Sequence, residues 1–184
     1  KHMSKIQNVM DTYFPPIEGD PVIQIGTCFI NYGKEKTYLN HILTLGTCDK
    51  IKNVVVDECV TEKELILKWK DLIIKEDPDI ISGYNIYAFD FPYIWDRAEE
   101  LGILNRYSVL GKIKDKQSEI KEKKLSSSAL GDNSWREIDT LGRIQIDLLK
   151  VIQRSYNLTS YKLDNVSAHF MAGKITKIIE KNLK

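Results

Sequence analysis

From Pro21 to Tyr32 the apolar residues Val22, Ile23, Ile25, Cys28, Phe29 and Ile30 are interleaved with small or polar ones, and Thr37 to Leu45 repeats the pattern after the turn Tyr32-Gly33-Lys34. Alternation of period two predicts a hairpin of two strands, because successive strand side chains point to opposite faces. The β-branched run Lys52-Asn53-Val54-Val55-Val56-Asp57 predicts a third short strand. The period then changes. Thr61-Glu62-Lys63-Glu64 fits a capping box, in which the Thr hydroxyl takes one free helix N–H and the Glu reaches back to another. Leu65, Trp69, Leu72 and Ile73 follow at helical spacing, with Lys68, Lys70, Asp71 and Lys75 on other faces, as in a helix packed on a sheet. Asp77-Pro78 ends it, Ile80-Ile81 predicts a short buried strand, and Gly83 predicts a tight turn. A second helix is expected over 89–101, with Pro92 in its first turn and Gly102 as a left-handed cap.

Residues 112–133 interleave Lys114, Lys116, Lys121, Lys123 and Lys124 with acids and continue into Ser126-Ser127-Ser128 and Gly131-Asp132-Asn133. They predict an exposed hairpin or mobile loop within one domain, not a linker. Arg143 to Asp147 alternates like a strand and leads into an apolar helix through Leu148, Leu149 and Ile152. Tyr161 to Phe170 predicts one more helix, with Leu163, Val166 and Phe170 inward, and Lys174 to Lys184 is a lysine-rich tail.

Composition narrows the class. A chain of 184 residues, 42% hydrophobic and 29% charged, suits one α/β domain with a sizeable core. Its apolar runs are far too short to span a membrane, and no signal peptide is visible, so an intracellular protein without a membrane partner is expected. Lys1-His2-Met3 reads as a cloning scar. The formal charge of +1, from 27 basic and 26 acidic residues, argues against bulk electrostatic capture of nucleic acid and makes any such contact local. Cys28, Cys48 and Cys59 are odd in number and widely spaced, and read as buried reduced thiols. His2, His41 and His169 suggest no nucleophilic pairing.

The chemistry concentrates between Asp77 and Tyr93, where an apolar strand runs into a turn that presents Asn85, Phe89 and Asp90 at the mouth of a helix. Plain structural roles exist for each. Asp90 suits a helix N-terminus, Asn85 tolerates positive φ, and Phe89 could be core. Tyr84 and Tyr87 offer stacking faces but are more often structural, and Asp147 at a strand end is more commonly a helix cap than a metal ligand.

Asn85-Ile86-Tyr87-Ala88-Phe89-Asp90 resembles the second exonuclease motif, Asn-x-x-x-Phe-Asp, of family B DNA polymerases. Gly19 to Gly26, Gly142 to Leu149 and Ser160 to Ser167 are similar to flanking segments of the δ-like branch, and Ser126 to Gly131 to its hairpin in polymerases of large DNA viruses. The resemblance implies that residues 4–184 are a partial 3′–5′ exonuclease domain of ribonuclease-H-like fold, a mixed sheet flanked by helices. It implies hydrolysis of terminal phosphodiesters of single-stranded DNA by two divalent metals, Mg²⁺ or Mn²⁺, about 3.5–4 Å apart. Asp90 would be the catalytic metal ligand. Asn85, Phe89, Ser160, Leu163 and Lys174 would contact DNA, the first two beside the terminal nucleotide and unpaired bases. The implied partners are a single-stranded 3′ primer end, the rest of a polymerase chain and replication accessory proteins. The implied location is a nucleus or a cytoplasmic viral replication site.

Two departures qualify that picture. The family's first motif, Asp-x-Glu, should precede Gly19, yet residues 1–18 contain only Asp11 and Glu18, and no Tyr-x-x-x-Asp third motif follows Phe170. The segment alone is therefore expected to lack turnover, and a degenerate, non-catalytic single-strand-binding or scaffolding domain is the alternative. A missing central strand would also leave an open sheet edge, which invites pairing with another chain.

Overall fold

The computed structural model describes residues 20–127 and 131–171. The hairpin expected from the first alternation is present: β1 (Gln24–Phe29) runs antiparallel to β2 (Leu39–Leu45), with Gln24 opposite Thr44 and Phe29 opposite Leu39. β3 (Val55–Cys59) starts later than its β-branched run and pairs with the far side of β2 in parallel, His41 opposite Val55 and Leu45 opposite Cys59. Gly46 makes the return possible by adopting φ +76, from where its N–H donates to the Cys59 carbonyl at 2.8 Å.

The Thr61 cap and the apolar spacing act together in α1 (Glu62–Glu76). Thr61 Oγ1 accepts the Glu64 N–H at 3.2 Å, while the Glu64 carboxylate reaches one residue further back than a capping box does, to the Val60 N–H at 2.8 Å. Leu65, Ile66, Trp69, Leu72 and Ile73 are all buried in the core with Leu43 of β2. Complete burial of an aliphatic side chain such as Leu65 or Ile66 contributes about 1.5–3 kcal/mol. Trp69 Nε1 also donates to Thr27 Oγ1 of β1 at 3.1 Å, which fixes the helix on the sheet. Asp77 ends α1 at φ 45, and its N–H donates to the Ile73 carbonyl at 3.0 Å.

β4 (Ile80–Gly83) pairs in parallel with β7 (Ile144–Asp147), from Ile80 opposite Ile144 to Gly83 opposite Asp147. This pair is separate from the β1-β2-β3 sheet. The architecture is thus mixed α/β with small sheets, where a single mixed sheet was expected. The reason lies at the edges: among the described residues β1 pairs only with β2, β4 pairs only with β7, and no strand joins them. For the same reason Ile80, expected to be buried, is 46% exposed.

Between β4 and β7 the chain makes α2 (Asp90–Glu100), α3 (Leu104–Tyr107) and a hairpin of β5 (Ile120–Ser127) and β6 (Gly131–Ile138). The expected excursion over 112–133 is therefore a hairpin whose return strand extends to Ile138. Its base is stitched by two backbone bonds of 2.7 Å, Lys112 N–H to the Leu141 carbonyl and Asp139 N–H to the Glu119 carbonyl. Gly111 is needed there, since a Cβ would lie 2.9 Å from the Leu141 oxygen. Arg136 of β6 grips Asp96 of α2 through two bonds of 2.6 and 2.7 Å. α4 (Leu148–Ser155) follows β7 directly and buries none of its residues. In the helical residues 163–171 Val166 is buried, but Leu163 and Phe170, expected inward, are exposed. Cys28 is exposed and Cys48 half-buried, so only Cys59 is the buried thiol expected of all three. No helix among the described residues is long and apolar enough to cross a membrane.

Candidate active site

Two parallel strands ending side by side place everything that follows them at one edge, the usual position of sites in α/β proteins. Gly83 closes β4 opposite Asp147, which closes β7. Gly83 is needed for space, not for a left-handed turn: a Cβ here would lie 2.5 Å from Ile86 Cγ2, and Ile86 is buried. The left-handed residue is Asn85, at φ 63, a conformation that Asn tolerates better than most side chains. Its carbonyl accepts the N–H groups of Ala88 at 3.2 Å and Phe89 at 3.0 Å, and the Ile86 carbonyl accepts that of Phe91 at 3.0 Å. The turn thereby winds directly into α2, whose first residue is Asp90.

Asp147 holds this turn from the other strand. Its carboxylate is 2% exposed; Oδ1 accepts the Asn85 N–H at 2.8 Å and the Leu149 N–H at 2.9 Å, and Oδ2 accepts the Tyr87 N–H at 3.2 Å. It is the cap of α4, as the sequence suggests, and also the tether of the Asn85 turn, which sequence reading missed. With its oxygens engaged by backbone donors, it is committed to structure.

Asp90 lines a groove of about 640 Å³ between the segment that enters β1, with Val22, Ile23 and Ile25, and the start of α2, with its cap Phe89 and Tyr93. Solvent reaches Asp90, yet surrounding protein thins its hydration and holds the carboxyl above the ordinary carboxylate range, and the nearby Asp147 charge acts in the same sense. Phe89 is 39% exposed and its ring lies parallel to that of Tyr93, 5.9 Å between centroids and 8° between planes. Tyr93 donates its hydroxyl to the Asp20 carbonyl and so closes one end of the groove. Tyr87 donates to the Gln145 carbonyl at 2.9 Å, and burial, then the charges of Glu137 and Asp147, push its hydroxyl up to about 12. Both Tyr84 and Tyr87 are therefore structural anchors.

The structure thus brings Phe89 and Asp90 together on the groove and puts Asn85 in the turn behind them. Ser160 and Leu163 do not line it. Ser160 Oγ accepts the Lys162 N–H at 3.3 Å and Leu163 is 55% exposed, and their segment meets the motif through the Tyr84 hydroxyl, which donates to the Tyr161 carbonyl. Lys174 lies outside the described residues. Tyr93, the last residue of the motif stretch, was not singled out by the sequence.

Asp90 offers a hard oxygen donor in an open position, which suits Mg²⁺ or Mn²⁺, ions that keep waters and need one or two carboxylates each. Among the described residues no three His, Cys, Asp or Glu side chains gather into a cation-binding group. The donor set present fits one protein ligand to such an ion.

Residues 5–166 match the family model described as "DNA polymerase family B, exonuclease domain". The chain is 45% identical over 173 residues to the DNA polymerase of Pyramimonas orientalis virus, covering 94% of this chain and 14% of that protein. It is 45% identical over 158 residues to the DNA polymerase delta catalytic subunit of Dictyostelium discoideum, and 42% identical over 158 residues to that of Candida albicans. Those matches cover 86% of this chain and 14% and 15% of the respective proteins.

Proposed function

Because this chain belongs to the family B DNA polymerase exonuclease domain, we propose that it is the greater part of the 3′–5′ proofreading domain of a δ-like replicative polymerase. The observation that carries the reading is the joint placement of Phe89 and Asp90 on one apolar groove, at the end of the turn that Asn85 begins.

In that role each side chain has a physical task. Phe89, stacked on Tyr93 and partly exposed on the groove, is an aromatic side chain of the kind that holds unpaired bases regardless of sequence. The Asn85 amide contributes hydrogen bonds near the terminal nucleotide. Asp90 would hold the divalent cation, which when bound offsets phosphate charge and lowers the barrier to hydrolysis. The raised carboxyl of Asp90 fits a group whose ionised form awaits a cation. Ser160, Leu163 and Lys174 remain DNA-contact candidates on the strand's path outside the groove.

The ribonuclease-H-like fold follows if a strand carrying Asp-x-Glu lies between the edges of β1 and β4 that are unpaired among the described residues, joining the two small sheets and adding carboxylates near Asp90. Substrate would be a single-stranded 3′ primer end, and partners the remaining polymerase chain and replication accessory proteins, in a nucleus or a cytoplasmic viral replication site. The chain spans about a seventh of the length of the curated relatives it matches. The decisive experiment uses the full-length parent chain. Asp90→Ala should abolish release of mononucleotides from a labelled single strand and leave primer extension intact; undiminished release would overturn the reading.

A further inference from the structure

We propose that Asp147 is a positioning residue of the Asp90 site: from the end of β7 its carboxylate fixes the backbone of Asn85 and Tyr87, and thereby the place from which Phe89 and Asp90 face the groove. The proposal rests on the functional reading above and concerns a residue separated from the motif by the whole hairpin excursion.

The turn needs such a partner. β4 ends at Gly83, so the N–H groups of Asn85 and Tyr87 have no strand ladder to enter, and a polar backbone group left unpaired in a protein interior is costly. Asn85 is moreover held in the left-handed region, which persists where surrounding contacts over-determine it. Asp147 supplies both missing acceptors at 2.8 and 3.2 Å. From the fixed Asn85 the geometry propagates through its carbonyl to Ala88 and Phe89, and through the Ile86 carbonyl to Phe91, on either side of Asp90.

Only a carboxylate of this length fits the pattern. One oxygen serves Asn85 and Leu149 and the other serves Tyr87, so three N–H groups converge on two acceptors. An Asn side chain in the same place must turn its NH₂ toward one of these donors. A Ser side chain can still cap α4 but is too short to tether the turn as well. These two replacements separate positioning from capping.

The test uses the full-length parent chain with Asp147→Asn and Asp147→Ser. Both should lower exonuclease kcat by about 10- to 100-fold, the scale of a small misplacement of reacting groups. Both should also weaken binding of a fluorescent oligothymidylate 3′ end measured by anisotropy in EDTA, with primer extension unchanged. In an Asp90→Asn background, Asp147→Asn should produce no further fall in cleavage. Wild-type kcat, KM and strand affinity in both variants would overturn the proposal. So would losses matched by equal losses in primer extension and melting temperature, because Asp147 would then only support the fold. If Asp90→Ala leaves cleavage intact, the exonuclease reading fails, and strand affinity in EDTA alone decides whether Asp147 positions the turn.

Discussion

Arg97 of α2 and Glu62 of α1 form a buried ion pair, Arg97 Nε donating to Glu62 Oε1 at 2.8 Å, and the same Glu62 oxygen accepts the Val22 N–H ahead of β1 at 2.8 Å. One carboxylate thus ties together three elements that line or back the groove. Removing one partner from such a pair leaves a buried charge uncompensated. Arg97→Met should cost about 3–5 kcal/mol in denaturant unfolding, whereas Glu62→Leu with Arg97→Met should recover much of it. A single variant as stable as the wild type would show that the pair is dispensable.

Gly83 predicts a steric result. In Gly83→Ala the new methyl must displace Ile86 Cγ2, 2.5 Å away, inside the turn that leads to Asp90. Overpacking of this kind costs about 1–3 kcal/mol, measurable as a lowered melting temperature. An unchanged melt would mean that Ile86 moves aside freely.

Asp77 predicts an acid dependence. Its carboxyl is held below the ordinary carboxylate range, first by the Lys112 hydrogen bond and then by that of Arg143, against the opposing effect of desolvation. A depressed folded value stabilises the fold above the unfolded value of about 3.8 and is lost as pH falls through the folded one. Asp77→Asn keeps a side chain that tolerates φ 45, so it should melt below the wild type at neutral pH, with the gap closing below about pH 4. A gap independent of pH would point away from the charge.

The 184-residue segment by itself should show no Mg²⁺-dependent turnover, because among the described residues no three His, Cys, Asp or Glu side chains gather around a cation position, whereas two-metal hydrolysis needs several carboxylates together. Mononucleotide release from a labelled single strand, lost in Asp90→Ala, would contradict this.

The edge of β1 that pairs with no strand among the described residues predicts self-association of the same segment as its concentration rises, since an open edge is a template for strand pairing. Light scattering that reports only monomer at high concentration would count against it.

What could be read from the sequence was what neighbours in the chain determine. Thr61 and the spacing Leu65, Trp69, Leu72, Ile73 specify α1 locally, and the Asn85–Asp90 motif carries its own turn. Asp147 was legible as a cap because the N–H it caps is two residues away, but its hold on Asn85 spans 62 positions and has no local signal. The Glu62–Arg97 pair was missed for the same reason. Periodicity also reports which face of a helix is apolar without saying whether anything covers it, which is why Leu163 and Phe170 were expected inward. The Lys-rich run of β5 left hairpin and loop open because the hairpin buries little of it, and the parallel course of β3 depends on a pairing that alternation does not encode.

The stitched base of the hairpin has a consequence for the site. Because Lys112 meets Leu141 and Asp139 meets Glu119 before the strands depart, the excursion leaves and rejoins the domain at nearly one point. The β4–β7 register that sets the groove is thereby separated from the far end of the excursion. The hairpin nevertheless reports on the site at two points: the Arg136 N–H donates to the Tyr87 carbonyl of the motif turn at 3.2 Å, and its side chain grips Asp96 on the helix that begins with Asp90.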